Sequence, residues 1–165
     1  MVNLYLICSL LMAALFIIST SAQFDDPDWY FWIPLYAGAA YVNLMNLIGT
    51  SSSKITTNVG SIILASGEFL ASKVILEHYS GESVSVGILS MNMKERVVRE
   101  KIGSVLVILC MILQVSAGTE FNKDPAKKMR LDVASSTKYG MAILVCIGYG
   151  LSAVFLMYHE NEIKF

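Results

Sequence analysis

The chain has 165 residues, of which 55% are hydrophobic and 15% are charged, and its mean hydropathy is +0.60. Soluble domains of this size carry about 25% charged residues, so the composition argues against a soluble globular protein. The formal net charge of -1 gives no electrostatic basis for binding nucleic acid, and none is expected as a partner. The charges occur in short clusters between long apolar runs, as in chains whose surroundings alternate between lipid and water.

Five apolar runs follow one another, and each has about the 17–25 residues that a helix needs to cross the hydrocarbon core. They cover residues 2–22, 30–48, 57–77, 102–118 and 139–158. The runs are continuous instead of alternating, which favours helices over membrane strands. The sequence therefore predicts an all-α integral membrane bundle of about five transmembrane helices. The whole chain, 1–165, forms a single multi-pass domain whose principal partner is the lipid bilayer.

The first run has two interpretations. Its apolar stretch 4–18 has the length of a signal-peptide core, and the small polar residues 19–22 could form a cleavage site. Against cleavage, no Lys or Arg precedes the stretch, whereas a signal peptide begins with a positive segment. A retained helix gives five spans, and a cleaved signal gives four.

An acidic and aromatic loop opens the second run. Asp26 is predicted to be the N-cap of this helix and Pro27 its first helical residue. The aromatic residues that follow belong at the level of the lipid headgroups. The carboxylates of Asp25, Asp26 and Asp28 are interpreted as turn and capping groups, with a cation site as the alternative. No metal or cofactor is expected.

The third run is the least apolar, and a re-entrant hairpin is the alternative to a full span. Glu68 lies near its middle, and an ionisable residue inside the membrane is a functional candidate by default. The structural interpretation is that Glu68 only packs. Lys73 is expected to reach the interface or to pair with Glu77. Small and polar residues share one face of this helix: Ser61, Ala65, Glu68 and Ser72.

Three other runs also have a smaller, more polar face, and these faces are predicted to turn inward and form a polar seam. Asn43, Gln114 and Tyr149 are the candidate residues of this seam, together with Glu68. The faces comprise Tyr36, Ala40, Asn43 and Asn46 in the second run; Gly103, Val107, Cys110 and Gln114 in the fourth; and Ala142, Cys146, Tyr149 and Ala153 in the fifth.

The positive charges of the links favour an amino end inside, with the acidic loop outside, by a margin of only one residue. With five spans, six Lys and Arg residues fall on the side of the amino end and five on the other side. The positive-inside rule needs a clear asymmetry between the two sides of the membrane. The sequence therefore predicts a membrane location without indicating which membrane, and the nearly tied counts do not establish the orientation.

Two motifs resemble the transmembrane protein 220 family. The first is the turn 26–28, Asp-Pro-Asp, followed by Trp32 and Tyr36. The second is the entry to the fourth helix, where Arg99 and Glu100 are followed by Gly103. The resemblance also includes residues 12–14, Gln23 and the apolar stretch 106–113. Asp25 departs from the family pattern, which has Asn there. The resemblance implies a retained first helix and implies no biochemical activity.

Three functions are compatible with the sequence. The leading interpretation is a multi-pass protein, of undefined biochemical activity, that acts through helix packing with another membrane protein or a second copy of itself. The alternative is a carrier or channel for a small solute, proton or cation that uses Glu68 with Asn43 and Gln114. An intramembrane enzyme is the least favoured, because the chain contains no GxSxG, HExxH, P-loop or GxGxxG motif.

Overall fold

The computed structural model describes residues 3–24, 27–48, 54–80, 96–123 and 133–163. They form α1 (Leu4–Ala22), α2 (Trp29–Leu47), α3 (Lys54–Ser80), α4 (Arg96–Lys123) and α5 (Ser135–Ile163). There is one helix for each predicted run and no strand among these residues, which confirms the all-α class. Because α3 is one continuous helix of 27 residues, the re-entrant alternative is wrong.

The predicted start of α2 is wrong by two residues. The helix begins at Trp29, with Asp28 as its N-cap, and Pro27 lies in the preceding turn. The Asp28 side chain makes no capping hydrogen bond, because its carboxylate is directed to Lys73 of α3, 3.4 Å away. Asp25 and Asp26 lie outside the described residues, and so does the role predicted for them.

Helices α1, α2, α4 and α5 form a four-helix core. In this core α1 packs against α2 and α5, and α4 packs against the same two helices. Helix α3 lies outside it, in the groove between α2 and α4. The most apolar stretches of α3 and α5 are each 22% buried, compared with 39% for those of α1 and α4.

Glycines allow α3 to lie deep in its groove. A Cβ on Gly38 of α2 would collide with the Ile63 side chain of α3, and a Cβ on Gly118 of α4 would lie 2.7 Å from Thr57 Oγ1. Glycine at such contacts lets helix backbones approach closely, which is how helices commonly pack within lipid. These two glycines therefore allow α3 to lie close to both α2 and α4.

Four helical segments of the described chain are long and apolar enough to cross a membrane: Leu4–Ala22, Lys54–Leu76, Arg99–Lys123 and Ser135–Val154. Helix α2 has 19 residues but is not among them. Its hydropathy is lowered by amide and aromatic side chains, of which Trp32, Asn43 and Asn46 are almost completely buried in the bundle. These polar groups of α2 thus face protein and not lipid.

Candidate functional site

The most polar part of the core is built around the buried side chain of Gln114 in α4. Its Oε1 accepts hydrogen bonds from the Tyr5 hydroxyl, at 2.6 Å, and from Asn46 Nδ2. Its Nε2 donates to Asn43 Oδ1 at 2.6 Å and to Ser9 Oγ at 3.1 Å. One amide side chain thus connects α1, α2 and α4, and we call these five residues with Cys110 the Gln114 cluster.

Asn43 extends the Gln114 cluster towards the middle of the bundle. Its Nδ2 donates to the backbone oxygen of Ala39 at 2.9 Å and contacts Cys110 Sγ at 3.4 Å. On the opposite side, Met141 Sδ of α5 lies 4.0 Å from Gln114 Nε2. Every helix of the four-helix core therefore contributes a side chain to the cluster or to its edge.

The chemistry of the Gln114 cluster is that of neutral hydrogen bonding. Its members are amides, hydroxyls and a thiol, and none of them is an Asp, Glu, Lys, Arg or His. Inside a water-excluded core such bonds strengthen one another, and a group left unpaired there is costly. This arrangement can fix the positions of the helices relative to one another, since its donors and acceptors are directed at each other.

A narrow crevice leads to the Gln114 cluster from the end of the bundle at which α2 ends and α3 begins. It is too narrow throughout to admit a water molecule. It is lined by Val42 and Asn46 of α2, Thr56 and Thr57 of α3, and Gln114, Val115 and Gly118 of α4. The cluster is consequently closed in this structure.

Asn43 and Gln114, predicted from separate runs, are brought into direct contact, but Glu68 is not part of the same site. The Glu68 side chain is exposed on the outward side of α3, as are Ser61, Ala65 and Ser72. The prediction that this face of α3 turns inward is therefore wrong. Gly60 and Gly67 face the groove instead, because they allow a closer approach of the backbones.

The inward face predicted for α5 is wrong in part. Ala142 and Tyr149 are half-buried against the core, but Cys146 and Ala153 are exposed. The residues of α5 that are buried against the other helices are Met141, Leu144 and Gly148. Tyr149 is half-buried and donates its hydroxyl to the backbone oxygen of Leu11, at 2.9 Å. Tyr149 thus connects α5 to α1 away from the Gln114 cluster.

Tyr5 and Ser9 were not predicted to be members of the polar core. Both are fully buried, and each donates to or accepts from Gln114. The spacing of these two residues could have predicted their place in the core, because polar residues four positions apart lie on one face of an otherwise apolar helix. That face also contains Met12 and Phe16, which are buried.

The two family-like motifs meet at the opposite end of the bundle. The ring of Tyr36 stacks on Phe16 and on Trp32, with centroid distances of 6.3 Å and 6.1 Å. Gly103 of α4 lies against the hydroxyl end of Tyr36, so that any side chain at position 103 would overlap it. The loop motif and the entry to the fourth helix are thus two sides of one packing contact.

Polar groups surround this contact on the same end. The Asp28 carboxylate pairs with Lys73, whose Nζ also lies 5.2 Å from the centre of the Phe31 ring. Lys73 therefore connects α3 to the start of α2, and the side chain of Glu77, the partner that the sequence suggested, lies outside the described residues. On α4, Arg99 is exposed and Glu100 is buried.

A helical bundle with four apolar segments of membrane-spanning length and a closed polar core defines a multi-pass transmembrane protein. The chain belongs to transmembrane family 220: the family model described as "Transmembrane family 220, helix" matches residues 15–116. This match confirms the resemblance, and it contains both the turn motif and the entry to α4, although residues 12–14 and α5 lie outside it. Comparisons with curated proteins and with solved structures gave no match.

Proposed function

We propose that this protein crosses the membrane five times and acts by packing against a transmembrane helix of another membrane protein. The partner helix lies on the outward side of α3, on a surface formed by Ser61, Ala65, Glu68 and Ser72, which we call the α3 outer face. The observation that carries the proposal is the exposure of Glu68 on this face. A lipid-exposed carboxyl group within the apolar part of a helix requires a partner.

The depth of Glu68 supports this proposal. Gly38 is the central residue of α2 and abuts Ile63 of α3, so Ile63 lies near the middle of the bundle. Glu68 is five residues further along α3, which is about 7 Å at the helical rise. The hydrocarbon core extends about 15 Å to each side of its midplane. The backbone of Glu68 therefore lies within the hydrocarbon.

The serines of the α3 outer face satisfy their own hydrogen bonds. Ser61 Oγ donates to the backbone oxygen of Thr57 at 3.1 Å, and Ser72 Oγ donates to that of Glu68 at 2.8 Å. These residues are small and need no external partner, which suits close packing of a second helix. The Glu68 carboxylate makes no hydrogen bond or ion pair within the described chain, and the packing proposal provides it with a partner.

A carrier that uses Glu68 together with Asn43 and Gln114 has less support. Such a carrier requires the three side chains to line a shared path, but Glu68 is on the outer surface and the two amides are sealed in the core. The crevice that reaches Gln114 is lined by α2, α3 and α4 and does not include Glu68. The geometry of α3 thus favours an interaction surface over a transport path.

Five crossings place the two ends of the chain on opposite sides of the membrane. Helix α2 crosses because its polar side chains are buried by its neighbours, with the exposed Trp29 and Tyr30 at headgroup level. Helix α1 is retained because Tyr5 and Ser9 complete the Gln114 cluster.

Reporter fusions and protease protection should therefore locate the ends on opposite sides, with an amino-terminal tag still attached. Finding both ends on one side would contradict five crossings.

Photocrosslinking can test the α3 outer face. We expect Ala65→benzoylphenylalanine to give a discrete heavier product in native membranes, and Glu68→Leu to abolish that product. The matched control is Ile143→benzoylphenylalanine on α5, where Ile143 is 60% exposed; it should crosslink lipid alone. Equal products at both positions, or a product at 65 that persists after Glu68→Leu, would remove the docking proposal.

A further inference from the structure

We infer that the partner helix carries a lysine or arginine at the depth of Glu68, an inference that rests on the proposed docking at the α3 outer face. An ionised carboxylate in lipid is stabilised most by an opposite charge, because the attraction between charges grows as the dielectric constant falls. A glutamine at position 68 would hydrogen-bond a neutral partner equally well, because glutamine has the shape and hydrogen-bonding capacity of a protonated glutamate. Among packing partners, a cation is the one for which a carboxylate differs most from glutamine.

The charges of the chain argue against a second copy as the partner. In the part of the chain that the structure describes, the lysines and arginines lie towards the helix ends: Lys54, Lys73, Arg96, Arg99, Lys101, Lys123 and Lys138. Two copies in one membrane have the same orientation, so a symmetric contact would place one Glu68 against the other. Like charges at such a contact disfavour it. The charges of the described residues therefore favour a different protein as the source of the complementary group.

The surroundings of Glu68 leave room for a long basic side chain. Ala65 and Ser72 lie about one helical turn on either side of it along the same face, and both are small. Helices with small residues at their contact approach to about 8 Å, so the stem of a lysine can lie along this face. Ile62 and Phe69, which are 63% and 67% exposed, provide apolar contacts beside it. The charge pair is then enclosed by apolar side chains.

The test uses the full chain, reconstituted in phosphatidylcholine liposomes, and model single-span peptides of leucine and alanine. The peptides differ only at one position at the depth of Glu68, which is Lys, Gln or Leu. Association is measured by energy transfer from the labelled protein to the labelled peptide. We expect the Lys peptide to bind wild type about tenfold more tightly than Glu68→Gln, which corresponds to about 1.4 kcal/mol. We expect the Gln and Leu peptides not to distinguish the two proteins.

The outcomes separate the two proposals. Equal binding of the Lys peptide to wild type and to Glu68→Gln would overturn the inference of a basic partner. The docking proposal would still stand if the crosslinked product at position 65 forms in native membranes and Glu68→Leu abolishes it. Both the docking proposal and the basic partner would be overturned if the Lys peptide shows no preference for wild type and no crosslinked protein product forms at position 65. Energy transfer between copies of the protein that disappears in Glu68→Leu would assign the face to a second copy and overturn the inference. An Ile143→Gln variant, changed on α5, should bind the Lys peptide as wild type does.

Discussion

Replacing Gln114 with leucine is expected to destabilise the bundle by about 3 kcal/mol. The substitution removes the acceptor of Tyr5 and Asn46 and the donor to Asn43 and Ser9. A buried group left unpaired costs about 1–3 kcal/mol, whereas single interhelical bonds within membranes average about 0.6 kcal/mol. For four lost bonds these values give about 2–12 kcal/mol, and the expected loss lies near the lower value because it comes from helices within membranes. The measurement is the free energy of unfolding in mixed micelles.

A matched control separates the loss of the Gln114 cluster from the effect of adding leucine to α4. Ser116 is an exposed polar residue two positions away, and its hydroxyl donates to the backbone oxygen of Ile112, at 2.7 Å, within its own helix. Ser116→Leu should change the free energy of unfolding by no more than about 0.5 kcal/mol. Equal losses for the two variants would show that Gln114 does not organise the core.

Gly103→Ala is expected to destabilise the protein by about 1–3 kcal/mol, the usual cost of overpacking a core. The added methyl group would overlap the Tyr36 hydroxyl. That hydroxyl cannot move aside easily, because Tyr36 is 4% exposed and its ring stacks on Phe16 and Trp32. A double-mutant cycle with Tyr36→Phe should recover part of the loss, because the nearest remaining atom is then the ring carbon Cζ, at 3.1 Å.

Gly150 provides the control for this cycle. A Cβ at Gly150 meets no other atom within 4 Å, and alanine has a higher helix propensity than glycine by about 1 kcal/mol. Gly150→Ala should therefore leave stability unchanged or raise it. If Gly103→Ala costs the same with Tyr36 and with Phe at position 36, the contact between the two motifs is not the cause of the loss.

The five helices and the membrane class could be predicted because apolar runs of membrane-spanning length have few alternatives. The faces of α2 and α4 were also predicted: each concentrates its polar residues on one side, and Asn43 and Gln114 meet there. Amides in these helices have to be paired within protein, so their faces turn inward. Polarity is a reliable guide where the polar groups can satisfy one another.

The orientation of α3 could not be obtained in this way. Periodicity identifies residues that share a face but not which face is inward, and lipid gives no hydrophobic driving force to choose between them. Helix α3 was placed by glycine contacts, such as those of Gly60 and Gly67 with α4, and these depend on side chains of a neighbouring helix. Tyr5 was missed for a similar reason, because its partner Gln114 is 109 residues away along the chain.

The reach of the Gln114 cluster along the chain also has a consequence for biosynthesis. Asn43 precedes Gln114 by 71 residues, which ribosomes add in about 4–14 s at 5–20 residues per second. During that interval the amides of α2 have no partner from α4. Helix α2 is also less apolar than the four described segments that are long and apolar enough to cross a membrane. Helix α2 should therefore remain within the insertion machinery until α4 emerges, so that the two enter the bilayer together.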